Sequence, residues 1–216
     1  MRYSKRIQAL LTPPERAIFK KLTTPQKIQS YLDTLPMNFE MHGETYMSPR
    51  KAFKARTAHC FEGALIAAAA MAYHGKPPLL LDLKTTHDDE DHVLTLFRKN
   101  GYWGAVSKTN HAVLRYRDPV YKTVRELAMS CFHEYVMNDG RKSLRAFSKP
   151  FELRKYSPEK WVTAEEDLNW LVEKLDNARH SPIVPRKNAH AIRRASKVEL
   201  DAWDEVEWKV PKGSKS

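Results

Sequence analysis

Cysteine is scarce in this chain: Cys60 and Cys131 are the only two among 216 residues. Two thiols make no disulfide framework, and without a CxxC pair there is no spacing for a structural zinc site. Long apolar runs are also missing. The longest block, Ala64 to Tyr73, falls far short of the roughly 20 residues that a membrane-spanning helix needs. The N-terminal MRYSKRIQALL is basic but has neither the apolar core nor the cleavage site of a signal peptide. Repeats and low-complexity tracts are absent. These gaps predict a cytoplasmic, bacterial-type protein with no membrane partner. Hydrophobic residues make up 42% of the chain, which excludes wholesale disorder and allows a real core.

Acidic residues are the minority charge: 26 Asp and Glu face 37 Lys and Arg, giving a net charge of +11. Such a balance favours anionic partners in general. The basic residues are scattered, with clusters only at Arg50–Arg56 and Arg186–Lys197. A solvated basic surface is the expectation, with salt-sensitive rather than specific affinity for nucleic acid. An acidic protein remains a possible partner.

Helix start signals dominate the first third. Thr12-Pro13-Pro14-Glu15 sets a cap residue before prolines, with a glutamate three positions on. Thr24-Pro25 repeats the signal, and Ile28, Tyr31, Leu32 and Leu35 then fall on one helical face before Pro36 ends it. Residues 37–55 read as a loop or short irregular elements before the cysteine. Phe61 to His74 is the strongest helix, alanine-rich and stopped by Gly75 with Pro77-Pro78 beyond. Leu79–Leu83 and His92–Phe97 read as strands, and Lys99-Asn100-Gly101 as a hairpin turn leading back through Tyr102–Val106. His111–Tyr116 reads as a third meander strand. Val120–Val136 returns to helical spacing, with Val124, Leu127, Ala128 and Cys131 on one side. Thr163 and Glu166 suggest a capping box for a helix to Leu175, and Val206–Val210 a final short strand. Helices segregated from an antiparallel sheet make an α+β domain spanning residues 1–216. Its core covers about 20–150, with a helical extension and basic tail over 151–216.

Cys60 stands where the strongest helix begins. A thiol there meets the positive end of the helix dipole and ionises more easily. The same helix end offers free N–H groups to an oxyanion. A cysteine nucleophile also needs a base, and the base needs an orienting partner. His92, opening a strand, is the candidate base. Packing is the competing role for each: a small buried thiol for Cys60, a strand-edge imidazole for His92. Cys131 lies on an apolar helical stripe and is expected in the core. Arg56 and His59 could add positive potential near Cys60, although the side chain of the adjacent residue His59 is expected to point elsewhere. His87-Asp88-Asp89-Glu90-Asp91-His92 could bind a divalent cation, but it lacks the alternation and glycine of a calcium loop and any HExxH helix. An acidic loop, with no metal and no cofactor, is the expectation.

Three segments carry a further resemblance: TPQKIQSYL, HCFEGALIAAAAMAYHGKPPLLLDL and DHVLTLFRKNGYWGAV, within roughly residues 25–110. A cysteine-headed helix ending near a glycine, a strand, a histidine opening the next strand and a hairpin with tryptophan near its return resemble the transglutaminase-like superfamily, whose fold is papain-like. Cys60, Gly75, His92 and Trp103 occupy those places. The pattern is similar to that of small bacterial transglutaminase-like proteins without an assigned substrate. The resemblance implies acyl chemistry on a peptide or amide through a thioester at Cys60, ending in hydrolysis or transfer. Two departures stand out. Ala58 replaces the usual small residue, often glycine, two before the cysteine. The register of the usual third catalytic residue, an aspartate, lands on Ser107, beside Lys108. Papain-like relatives orient the base with asparagine, so Asn110 is the preferred third member, followed by Ser107 and then Asp118. The missing aspartate leaves a second reading open: an inactive binding module on the same fold.

Overall fold

The computed structural model describes residues 2–210. Its centre is α5, Cys60–Tyr73, in which every residue from Phe61 to Tyr73 is buried. A helix apolar on all sides can be satisfied only by being surrounded. Here α1 (Tyr3–Leu10), α3 (Pro25–Asp33) and α4 (Pro49–Ala55) pack on one side and the sheet on the other. Alanine side chains along α5 let these neighbours approach closely. The helix stops at Gly75, φ +76°, where the N–H groups of Gly75 and Lys76 reach back to Ala72 and Met71. This left-handed residue is the ordinary use of glycine at a helix C-terminus. Between α1 and α3, α2 (Pro13–Lys21) begins with the reciprocal Thr12–Glu15 capping box.

The sheet is antiparallel at every pairing. Its strands are β1 (Leu79–Lys84), β2 (His92–Lys99), β3 (Tyr102–Val106), β4 (Arg117–Tyr121), β5 (Ala146–Ser148), β6 (Phe151–Glu152) and β7 (His180–Pro182). They run β4-β3-β2-β1-β5-β7, and β6 also pairs with β1. Side chains alternate between faces. Leu80, Val93, Phe97 and Val106 join the core around α5, while Leu81, Leu83, Leu94, Leu96 and Ala105 join a second core with Leu127, Cys131 and Tyr135. With both faces covered, β1 and β2 read as nearly continuous apolar runs. The β2–β3 turn has Asn100 at φ +51° and Gly101 at φ +87°, the two positive values that a two-residue type I′ hairpin requires. Thr95 ties β2 to α5 through a 2.6 Å hydrogen bond to the Ala64 carbonyl.

The structure therefore bears out an α+β chain with an antiparallel sheet and a cysteine-headed helix, and it corrects several elements. His111–Tyr116 is not a strand: Leu114 has φ +58°, and the next strand is β4, from Arg117. The long helix expected over 120–136 is only α6, Val124–Met129, capped by Thr123, because β4 extends to Tyr121. The helix expected over Thr163–Leu175 starts late, as α8 (Asn169–Asp176), and Thr163 instead ends a short helix, α7 (Glu159–Val162). Contacts to α4 hold the intervening chain: Ser48 Oγ donates to the Ala164 carbonyl at 2.6 Å, and Lys51 pairs with Asp167. The 37–55 loop contains α4, capped by Ser48. The C-terminal strand shrinks to a single bridge between Val206 and His111; α9 (Lys197–Asp204) precedes it.

Gly63, one turn into α5, lies under Lys108, so an added Cβ would stand 2.4 Å from the Lys108 Cβ. That clash should cost about 1–3 kcal/mol, more than the roughly 0.5–1 kcal/mol that alanine adds to helix stability. Gly63→Ala should lower the urea midpoint. An unchanged midpoint would mean that the Lys108 backbone yields freely.

Candidate functional site

The first turn of α5 is organised by a buried carboxylate. Glu62 has no exposed surface. It accepts hydrogen bonds from the backbone N–H of His59 at 3.0 Å and of Met47 at 3.2 Å, and from Asn38 Nδ2 and Thr45 Oγ1 at 3.1 Å. His59 and Glu62 thereby form a capping box at the entry to α5. The box fixes the backbone on which Cys60 sits as the first helical residue.

It also turns the His59 ring toward the thiol, against the expectation for an adjacent residue. Nε2 donates to the Thr45 carbonyl at 2.7 Å and lies 3.5 Å from Glu62 and 3.7 Å from Glu40. Nδ1 stands 3.9 Å from Cys60 Sγ and 3.3 Å from the Phe61 nitrogen. A neutral ring uses Nδ1 to accept from Phe61 N–H, whereas a protonated ring donates to the sulfur. Burial opposes a charge on His59, but the sulfur, Glu62 and the Thr45 carbonyl outweigh it and push the pKa up to about 10. Burial would likewise raise the Cys60 pKa, yet the neighbouring His59 and His92 rings hold it well below the ordinary thiol value.

His92 is buried where β2 begins, with Nε2 2.9 Å from Ser107 Oγ. The Ser107 hydroxyl has one proton, and it goes to the Leu114 carbonyl at 2.5 Å. Toward His92 the hydroxyl must therefore accept, so Nε2 carries the proton. Nδ1 is then the free nitrogen of a ring that lines the same cleft as Cys60. Ser107 is itself clamped: Gln29 Oε1 accepts its N–H at 3.0 Å, and Gln29 Nε2 donates to its carbonyl at 2.8 Å.

The orienting position expected first at Asn110 is thus occupied by Ser107. Asn110 faces the C-terminal segment: Nδ2 donates to the Trp208 carbonyl at 2.9 Å, and Oδ1 accepts from the Trp208 N–H at 2.8 Å. Asp118 is exposed on β4. Lys108 turns away from His92 and donates to the Leu32 and Leu35 carbonyls at the end of α3. Cys131 is buried in the second core, and desolvation raises its pKa. Sequence reasoning missed Glu62, Gln29 and the orientation of His59. The His59-x-x-Glu62 spacing, a capping box with histidine in the cap, carried a signal for the first and last.

Cys60 opens onto two clefts of about 590 and 580 Å³, separated by the 87–91 loop. Trp203 and Tyr135 help to line the first; Glu40, Glu44 and Asp176 help to line the second. The loop is tied down by an Arg141–Asp88 pair at 2.7 Å, by Ser143 to Asp89, and by Tyr135 Oη to the Glu90 carbonyl at 2.7 Å. Asp82, Asp91 and Asp176 converge at its base, the one grouping among the described residues with cation-ligand spacing. The Lys84 ammonium pairs with both Asp91 and Asp176 there, so a protein cation already meets this charge. No helix among the described residues is long and apolar enough to cross a membrane. No family model and no curated protein sequence matches the chain.

Iodoacetamide near pH 6 should label Cys60 and spare Cys131. The alkylation midpoint of Cys60 should lie below the free-thiol value of about 8.5. His92→Ala and His59→Gln should each move it upward. Mass spectrometry of labelling across pH reads both outcomes; prior labelling of Cys131 would refute the assignment.

Proposed function

We propose that the protein is a cysteine-dependent hydrolase or acyltransferase acting on an amide or peptide, built on a papain-like, transglutaminase-like core. One observation carries this reading: Ser107, committed to the Leu114 carbonyl, holds His92 in the tautomer with Nδ1 free, in the cleft onto which Cys60 opens. Cys60 gives its proton to His92, and the thiolate attacks the carbonyl carbon. The oxygen gains charge beside the Cys60 N–H, which at a helix start has no intrahelical acceptor. His92 passes the proton to the departing amine as the C–N bond breaks, leaving a thioester. Water or an amine then attacks, His92 takes the new proton, and the S–C bond breaks. His59 adds a second positive charge toward the thiolate, an aid to a base whose orienter is neutral.

Acidic side chains around the clefts favour a substrate or acceptor that is cationic near the reacting bond. An acidic partner would have to bind the basic surface elsewhere. The neutral orienter also supports the second reading, an inactive module, which predicts a nucleophile that never acylates.

p-Nitrophenyl acetate separates the two. The enzyme reading expects a burst of nitrophenolate and an acetyl adduct on Cys60 in the intact mass. His92→Ala should slow acylation by about 10²–10⁴-fold, and Ser107→Ala by less, since the base survives without its aim. Absence of the adduct at Cys60 in the wild-type protein would favour the binding module.

A further inference from the structure

The far end of α5 carries a cavity of the opposite character. About 320 Å³ in volume, it lies among the last turn of α5, the chain entering α3, and the β2–β3 hairpin. Cys60 and Ala70 are ten positions apart, so at a rise of about 1.5 Å per residue the cavity begins roughly 15 Å along the axis from the thiol. Its floor is apolar: Ile28, Ala70, Met71 and Phe97 are all buried and belong to the core around α5. Its mouth is basic. Lys76 and Lys99 line it and are exposed. Arg98 borders it but turns to the other face of the sheet, over the Trp103 ring, 5.0 Å from its centroid.

The charge has one sign. Not one lining residue is Asp or Glu. Neither Lys76 nor Lys99 forms an ion pair with a described residue. Two exposed cations over an apolar floor complement a molecule with an anionic head and a hydrocarbon body. The volume is at the small end of ligand pockets, which run from roughly 300 Å³ upward. That suits a single chain rather than a protein helix.

We infer that this cavity is a binding site for a free, single-chain amphipathic anion, a medium-chain fatty carboxylate, with its tail against Met71 and Phe97 and its head at Lys76 and Lys99. The site is separate from the chemistry proposed at Cys60 and stands or falls without it. Burial of each methylene supplies the affinity, and the cations select the head group.

Decanoate below its micellar concentration is the probe, titrated into the full chain by calorimetry and by tryptophan fluorescence. One saturable site is expected. Decanol, which lacks the charge, and acetate, which lacks the chain, should each bind at least about tenfold more weakly. Lys76→Glu/Lys99→Glu, a change confined to exposed side chains, should weaken decanoate by about tenfold or more. Cys60→Ala should bind it like the wild type. Absence of a saturable heat, equal affinity for decanol, or equal affinity in the charge-reversed variant would overturn the assignment.

Discussion

A carboxylate removed from water must have its charge met by donors, because an uncompensated buried charge costs more than a small domain can spare. Glu62 meets this condition at the entry to α5. Its partners arrive from three directions: the His59 backbone in its own helix, Asn38 in the preceding loop, and Thr45 and Met47 ahead of α4. One side chain therefore binds the loop over 38–47 to the first turn of the central helix. It also places an acceptor charge beside His59, so that the ring facing Cys60 favours the protonated state. The position of the thiol, the orientation of the neighbouring imidazole and the sign of the local charge all follow from this one buried group.

The remainder of the site solves a different problem, that of aiming a histidine without a negative charge behind it. An aspartate would both orient the base and stabilise its cation. Ser107 orients only, and its direction is set by the hydroxyl proton given to Leu114. Rigidity supplies what charge does not. Gln29 fastens the Ser107 backbone at both its N–H and its carbonyl, and Lys108 reaches back to the end of the same helix, α3. Burial lowers the Lys108 pKa, so its carbonyl partners act against a real desolvation cost. Gly63 leaves the space through which Lys108 passes.

Much of this was legible in the chain. Periodicity and breakers gave α3, α5 and the β1–β3 meander, because each is local: alternation, a helical stripe, Pro36, Gly75 and the Asn100-Gly101 turn all act within a few residues. Cys60 at a helix head and His92 at a strand start are equally local features. The illegible parts depend on distant partners. Residues 111–116 looked like a strand by composition, but their backbone groups serve other segments: Ala112 donates to the Glu205 carbonyl, and the Leu114 carbonyl accepts from Ser107. Asn110 looked like an orienter by its proximity to the hairpin, yet its amide matches the Trp208 backbone nearly a hundred residues away. The register of the resemblance did land on Ser107, the residue that meets His92; the preference for asparagine as a residue type led away from it.

Those distant partners change what the C-terminal extension is for. Trp203 stacks on His111 with ring centroids 3.9 Å apart, and its carbonyl accepts from His111 Nδ1 at 2.6 Å. The same indole borders the cleft that holds Cys60 and His92. Arg115 reinforces the seam by pairing with Glu207 at 2.9 Å. The end of α9 is therefore a wall of the candidate site, and the segment after it a fastening, rather than an appendage to a finished core. It is fastened mainly by hydrogen bonds, one aromatic stack and an ion pair, interactions individually weaker than the packing around α5. A wall held this way can be rebuilt by sequence change without disturbing the helix that carries the thiol. The thiol and the shape of the cleft beside it are thus borne by parts of the chain with separate sources of stability.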